Sequence, residues 1–344
     1  MSADAATAQP PPSAPRADGP APAALLAALA AAPAISGSEL AARLGVTRAA
    51  VWKQVERLRA LGLGISAQAG RGYRLDAPLD LLDADAIAAG LSVAAHARLG
   101  ALAVHWQLDS TNSALLRAAA TDPRDGLACL AELQSAGRGR RGRAWRLPLG
   151  GGIALSLLKR FDGGMAALAG LSLVVGIAAV QALADCGIGE IGLKWPNDLV
   201  ARGRKLGGIL VELGGDALGP CHAVIGLGLN VRLDARAGAS IDQPWIDLAT
   251  LADGAPPSRN RLAAALLERL LDALERFARD GFGAFADAWA QHDVLAGRRV
   301  QVLRADGARE GVAAGVDARG ALRVVFADGE RAVDSGEVSV RGTP

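Results

Sequence analysis

The segment Ala136-Gly137-Arg138-Gly139-Arg140-Arg141-Gly142-Arg143-Ala144-Trp145 concentrates guanidinium groups on a glycine-rich backbone. Arginine forks match phosphate oxygens in pairs, and glycine lets the main chain bend close to an anion. The composition suits a phosphate-bearing ligand, and taken alone it equally suits an RG-type nucleic-acid tail or a solvated basic loop. Further on, Lys194-Trp195-Pro196-Asn197-Asp198 follows the apolar Ile191-Gly192-Leu193, and Pro196 forces a turn. A turn at a strand end is a common place to present polar site residues. Ser110-Thr111-Asn112 stands before Ala114-Leu115-Leu116, where it caps a helix, and Gln134 lies just ahead of the arginine loop. No G-x-x-x-x-G-K-[ST] loop and no G-x-S-x-G elbow is present, which removes support for P-loop and α/β-hydrolase chemistry. His96, His105, His222 and His292 have neither metal-ligand spacing nor a triad partner and read as structural.

Two more blocks complete the pattern: Arg204-Lys205-Leu206-Gly207-Gly208-Ile209-Leu210-Val211-Glu212 and Gly226-Leu227-Gly228-Leu229-Asn230-Val231. The five blocks, in this order, resemble the biotin protein ligases, and the resemblance runs from about Leu25 to the C-terminus. It implies ATP and Mg²⁺ as reaction partners, biotin as substrate and biotinyl-5′-AMP as intermediate. It implies that Arg138, Gly139 and Arg140 close over biotin and the adenylate, that Arg143 bears on the nucleotide phosphates, and that Trp145 covers the adenine side. Ser110, Thr111, Asn112 and Gln134 are neutral donors and acceptors for biotin's ureido ring. Lys205 is expected near the biotin carboxylate and the adenylate phosphate, and a surface lysine in a turn has the same local sequence. Lys194 and Asn197 are assigned to phosphates or ribose and Asn230 to the nucleotide side. Trp245, in Pro244-Trp245-Ile246, packs over the adenylate or is simply an exposed loop residue. Asp198 either carries Mg²⁺ or helps the incoming lysine lose its proton. Because a glycine-rich loop loses entropy on ordering, the arginine loop is expected to be mobile without ligand.

These residues must be held by a large scaffold. At 344 residues the chain has room for two or three domains, and its apolar content of 51% is raised by alanine while aromatics are 3%. A net charge of +2 cannot by itself drive nucleic-acid binding, so any DNA contact must come from a local patch. Cys129, Cys186 and Cys221 are odd in number and far apart, which favours free buried thiols in a reducing cytosol over disulfides or zinc. Residues 1–22 read as a disordered Pro/Ala-rich extension without signal-peptide features, and the Ala-rich run 23–32 is too short to cross a bilayer.

The patterning is α+β and multidomain, and with the resemblance it implies an N-terminal winged helix-turn-helix (23–78), a central α/β biotin/lipoate ligase-type catalytic domain with a mixed sheet (81–294), and a C-terminal SH3-like β-barrel (297–344). In the first domain Ser38–Leu44 forms a helix broken at Gly45, and Thr47 caps a second helix reaching Leu58. Two short strands within Ile65–Leu75 form the wing. Leu40, Leu44, Val51, Val55 and Leu58 make its core. Ser38, Thr47, Arg48, Ala49, Ala50, Trp52, Lys53, Gln54 and Arg71 are the candidate DNA contacts, although Trp52 is an unusual base reader and can instead pack on the wing. Centrally, Gly152–Leu158, Gly208–Leu213 and Ala223–Leu229 read as strands and Leu168–Cys186 as an apolar helix. The Leu262, Leu266, Leu270, Leu274 and Phe277 stripe reads as a scaffold helix. In the tail, Val300–Leu303, Leu322–Phe326 and Val338–Val340 alternate as strands, with turns at Asp306-Gly307 and Asp328-Gly329.

The expected function is an ATP-dependent ligase that places biotin on a lysine of the biotin carboxyl carrier protein of acetyl-CoA carboxylase. By resemblance to the bifunctional members, the adenylate-bound homodimer also binds operator DNA and represses biotin synthesis genes, in the cytoplasm and without a membrane. A lipoyl or octanoyl transferase, a degenerate ligase domain that only senses ligand, and a ligase whose winged helix does not regulate remain as alternatives.

Overall fold

The computed structural model describes residues 21–344 apart from 69, 78, 123, 234, 240, 242, 305–306, 335–338 and 343–344. Of the expected N-terminal extension, residues 1–20 lie outside the described residues, as do Asp306 and Val338 of the expected turn and strand. Ala21 and Pro22 belong to the first helix. The chain divides into two compact units, Met1–Leu79 and Asp80–Pro344.

The first unit packs α1 (Ala21–Ala30), α2 (Gly37–Leu44) and α3 (Arg48–Ala60) around Leu25, Leu26, Leu29, Leu40, Val51, Val55 and Leu58, with Leu44 only half-buried. Ser36, not a residue inside the helix, caps α2 by accepting from the Glu39 N–H at 3.1 Å, and Gly45 ends it at φ +64°. Thr47 caps α3 through the Ala50 N–H at 3.2 Å. The wing strands β1 (Ile65–Gln68) and β2 (Gly72–Leu75) pair antiparallel, and Ile35 adds a bridge to Tyr73. Arg59 of α3 donates two hydrogen bonds to the Ile65 carbonyl at 2.9 and 2.7 Å, which fixes the wing to the helix.

The second unit begins with α4 (Ala84–Ala89) and α5 (Val93–Arg98). It then builds β3 (Ala101–Leu108), α6 (Thr111–Ala119), β4 (Leu127–Gln134), β5 (Gly152–Phe161) and α7 (Leu171–Asp185). Four strands follow: β6 (Gly192–Lys194), β7 (Asp198–Ala201), β8 (Arg204–Gly215) and β9 (Cys221–Asn230). The short helices α8 (Ala235–Gly238) and α9 (Leu248–Leu251) lead to the long α10 (Arg259–Asp280) and to α11 (Ala286–His292). The strands form one seven-stranded sheet, ordered β3-β4-β5-β9-β8-β7-β6, in which only the β3–β4 pair is parallel.

Helix α7 starts at Leu171 rather than Leu168 because Gly170, at φ +79°, is not helical. It is apolar on all sides and lies in the core, with α10 as its principal neighbour and contacts to the sheet at β6–β8. The span Met165–Asp185 is long and apolar enough to cross a bilayer by composition, but its apolar stretch is mostly buried inside the protein.

The last strands, β10 (Arg299–Arg304), β11 (Gly307–Val316), β12 (Leu322–Phe326), β13 (Gly329–Val333) and β14 (Ser339–Gly342), form an antiparallel sheet ordered β13-β12-β11-β10-β14. Its buried residues, among them Val300, Val302, Leu322 and Val324, belong to the same core cluster as α7 and α10. The buried face of the C-terminal sheet is thus continuous with the core of the central sheet and its helices. Trp195, expected only as part of a site motif, is buried there and donates Nε1 to the Gly320 carbonyl at 3.0 Å.

Candidate active site

Register decides which side of the sheet can hold a ligand. Ile225, Leu227 and Leu229 of β9, with Ile153, Leu155 and Leu157 of β5, point to the core. The alternating positions are Gly226 and Gly228 on β9, Ala154 and Ser156 on β5, and Gly208, Leu210 and Glu212 on β8. Across the strands these align as Ala154–Gly228–Gly208 and Ser156–Gly226–Leu210, a floor of mostly small residues. A Cβ on Gly228 would overlap the Trp145 ring, and one on Gly226 would overlap the Asn112 amide. The glycines therefore make room for groups lying directly on the sheet.

One end of this floor is a neutral polar network. Ser110 caps α6, and the Thr111 N–H and hydroxyl both donate to Gln134 Oε1, at 2.8 and 3.1 Å. Ser156 Oγ, fully buried, lies 2.7 Å from Thr111 Oγ1 and 2.6 Å from Asn112 Oδ1. Asn112 Nδ2 donates to Glu212 Oε2 at 2.8 Å and to the Leu210 carbonyl at 3.3 Å. Asn112 is 3% exposed and its amide is occupied on both sides, so it orients its neighbours more than it faces the open groove.

The other end is charged. Lys205 Nζ meets Asp198 Oδ1 at 2.8 Å and lies 5.7 Å from the centre of the Trp145 ring, close enough for a cation–π contact. Arg140 Nη1 donates to Asn197 Oδ1 at 3.3 Å, while Asn197 Nδ2 donates to the Ile209 carbonyl at 2.9 Å and holds the β6–β7 turn on β8. Burial, and then the neighbouring Arg141, press the Arg140 guanidinium below its ordinary pKa, with Asp198 opposing. Such a group stays cationic at neutral pH and is poorly solvated, which favours an anionic ligand. Lys194 stands opposite Asp198 in the β6–β7 pair.

The arginine loop itself forms a small hairpin: Gly139 N–H donates to Arg143 O at 2.7 Å, Trp145 N–H to Gly137 O at 2.9 Å, and Arg138 bridges to Ala144. Arg143 is exposed at its edge. Trp145 Nε1 is enclosed and has no hydrogen-bond partner among the described residues. Asn230 is buried, its amide donating to Ile246 O at 3.1 Å and lying 3.5 Å from Lys205 O, so it supports the Lys205 backbone. Trp245 bridges to Lys205, gives its Nε1 to Gly238 O at 3.1 Å, and lines a cavity with Arg204, Gln243, Pro244 and Thr250. That lining includes no residue of the arginine loop.

Residues 104–230 match the Biotin/lipoate A/B protein ligase family, 23–74 an HTH domain, and 296–341 the Biotin protein ligase C terminal domain. The chain is 40% identical over 308 residues to the Bifunctional ligase/repressor BirA of Salmonella typhimurium, covering 89% of this chain and 93% of that protein. It is 39% identical over 305 residues to the Bifunctional ligase/repressor BirA of Escherichia coli, covering 89% and 92%. The chain belongs to the bifunctional biotin protein ligases. Among solved structures, the biotin protein ligase from Aquifex aeolicus in complex with biotin and ATP aligns with a TM-score of 0.60 at 27% identity. That alignment covers 71% of this chain and 100% of that one.

In this ligase the candidate DNA contacts differ in exposure. Ser38, Thr47, Arg48, Ala49, Trp52 and Lys53 are exposed on α2 and α3, and Arg71 is exposed in the wing turn. Ala50 and Gln54 are half-buried, and Gln54 Oε1 is enclosed without a hydrogen-bond partner among the described residues. Trp52 is 54% exposed, so it is not folded away against the wing.

Sequence reasoning gave Ser156 and Glu212 no role, yet both contact the assigned biotin-side residues. The available signal was polarity at a floor position: a serine within the apolar run Gly152–Leu158, and an acid two residues past Leu210 on the same face.

Proposed function

We infer that this chain activates biotin with ATP, transfers it to a lysine of the biotin carboxyl carrier protein of acetyl-CoA carboxylase, and represses biotin synthesis genes while holding the adenylate. The observation that carries the ligase reading is the small-residue floor, with a neutral polar network at one end and Arg140, Asn197, Asp198 and Lys205 at the other. Biotin has a neutral ureido ring and an anionic tail, and the floor offers matching chemistry at its two ends.

A free carboxylate is a poor electrophile, so its oxygen must first attack the α-phosphorus of ATP, with pyrophosphate leaving. The product is a mixed anhydride that the carrier lysine opens, expelling AMP. In the first step two anions converge, and Arg140 and Lys205 supply fixed positive charge where they meet. Asp198 holds the Lys205 cation through Oδ1 at 2.8 Å, at the end of the floor where the phosphates would lie. That fits Asp198 as a single protein ligand for a Mg²⁺ that arrives with the nucleotide, which the phosphates would chiefly hold.

Repression works by linkage. The adenylate orders the arginine loop and favours a homodimer, and the dimer offers two winged helices to a two-fold operator. Beyond Ile209 the outer edge of β8 has no strand opposite it among the described residues, and Leu213 is exposed there, which supports a second copy pairing along this edge. Transfer of biotin consumes the adenylate and so relieves repression. The free, buried Cys129, Cys186 and Cys221 agree with a cytoplasmic location.

The test supplies biotin, ATP and Mg²⁺ together with a carrier domain or a biotin-gene operator fragment. The reading expects label on one carrier lysine, unaffected by excess lipoate, and a gel shift that requires both biotin and ATP. Labelling suppressed by lipoate would overturn the biotin assignment, and a shift independent of biotin would overturn the linkage.

A further inference from the structure

The central sheet parts at the end that carries the site. β4 stays paired with β3 as far as Gln134, and β5 stays paired with β9 from Gly152 onward. β4 and β5 pair with each other only from Leu127–Leu158 to Leu130–Leu155, so residues 131–134 and 152–154 run without a mutual ladder. The two ends of the site fall on opposite sides of this opening. Gln134, which accepts from the Thr111 N–H at 2.8 Å, ends β4, whereas Asp198 and Lys205, paired at 2.8 Å, stand on β7 and β8, beyond β9.

On the core face an ion pair bridges the opening. Arg259, in the first turn of α10, donates Nε to the Gly152 carbonyl of β5 at 3.0 Å and Nη1 to Glu132 Oε2 of β4 at 2.8 Å. The other Glu132 oxygen accepts from the Leu82 N–H at 2.5 Å, and Arg259 Nη1 also reaches the Asp80 carbonyl at 2.8 Å. Both side chains are almost fully buried, at 3% and 5% exposure. A buried ion pair is a poor stabiliser, because desolvation offsets the attraction and apolar side chains often serve as well. What the pair adds is geometry: a planar guanidinium with two fixed donors holds β4 and β5 at a set distance where their own ladder has ended.

We propose that Arg259 and Glu132 are positioning residues that set the spacing between the neutral and charged ends of the site, and with it the length of the carboxylic acid that is activated. The proposal rests on the ligase reading of those two ends. An acid gripped by its ureido ring at the neutral end brings its carboxylate to Lys205 only if the connecting chain matches the spacing. One methylene too few leaves the carboxylate short of the phosphorus, and one too many buckles the chain over the floor. Displacements of an ångström cost rate steeply in such a reaction. Arg259 and Glu132 act from the core face and exert this selection without touching the acid.

The test uses the full-length protein with biotin and two analogues whose side chains are one methylene shorter and one longer, and follows pyrophosphate release. The parent should prefer biotin to each analogue by more than about tenfold in kcat/KM. Glu132→Met combined with Arg259→Met replaces both charges by apolar side chains, and Arg259→Lys keeps the cation but not the fork. Circular dichroism identifies the variants that are folded. The preference should fall to within about threefold in the double variant and to an intermediate value in Arg259→Lys, because a looser opening admits more than one spacing. A loss of stability alone reduces the folded fraction and scales the rates of all three acids equally, so it leaves the preference untouched. An unchanged preference in both variants, or in Arg259→Lys where the double variant does not fold, would overturn the proposal. A parent that accepts all three acids equally would overturn it too. A parent that activates none of them would overturn the ligase reading, and the proposal with it.

Discussion

The two faces of the central sheet are built from the same strands and read the same residues alternately, yet they do opposite work. On one face Ile153, Leu155, Leu157, Ile225, Leu227 and Leu229 are buried in the core that contains α7 and α10. On the other, Ala154, Ser156, Gly208, Gly226 and Gly228 withhold side-chain volume, and the space is taken by Trp145, Asn112 and the arginine loop. The period of two along a strand lets one segment satisfy both demands. Stability is concentrated on the first face and recognition on the second, so substitutions one residue apart should separate the two properties.

The largest effect is expected from Gly228→Val. Its side chain would occupy the space of the Trp145 ring, and displacing a positioning group by even an ångström can cost about a hundredfold in rate. Pyrophosphate release should fall by about that factor while the melting temperature moves by only a few degrees. The neighbouring Leu227→Ala should do the reverse, costing about 2–5 kcal/mol in chemical denaturation with KM for biotin unchanged in the folded protein. If both variants lost stability and activity together, the division between the faces would fail.

Trp195→Phe gives a smaller effect that sharpens the comparison within one motif. Lys194, Asn197 and Asp198 belong to the charged end of the site, but the Trp195 ring belongs to the core, where phenylalanine loses the Nε1–Gly320 bond together with part of the ring's packing. Leaving the buried Gly320 carbonyl unpaired should cost about 1–3 kcal/mol, read by urea denaturation, with little change in the chemical step.

The smallest effect is expected at Asp109, beside the α6 cap. Its ion pair with Arg117 at 2.8 Å, with help from the Ser110 N–H, lowers its pKa from 3.8 to about 2. A folded pKa below the unfolded one stabilises the protein above pH 4, and this contribution fades as pH falls toward 2. The pair is largely exposed, so Asp109→Asn should cost less than about 1 kcal/mol at pH 7 and nothing at pH 2, as thermal melts at the two pH values would show.

Much of this was legible in the sequence because it is local. Thr47 and Ser110 cap the helices they precede, the Leu262-to-Phe277 stripe is a helix face, and the alternation Ile225-Gly226-Leu227-Gly228-Leu229 is a strand with one open side. Relations between distant segments were less legible. Nothing near Glu212 in sequence points to Asn112 or Arg138, because those contacts depend on sheet order and on where α6 lies. Asn112 and Asn230, expected on the ligand side, also hold protein partners, and their sequence surroundings do not show this because an amide side chain suits either environment. Trp195 sits in a motif of site residues, and only the tertiary structure reveals that it packs beneath the C-terminal sheet.

The most direct test of the central claim is native mass spectrometry of the purified chain after incubation with biotin, ATP and Mg²⁺, with Gly228→Val alongside. A folded parent that retains biotinyl-5′-AMP, and an equally folded variant that does not, would agree with catalysis on the glycine-paved face. A parent that retains no adenylate, or a variant that retains it as well as the parent does, would contradict it.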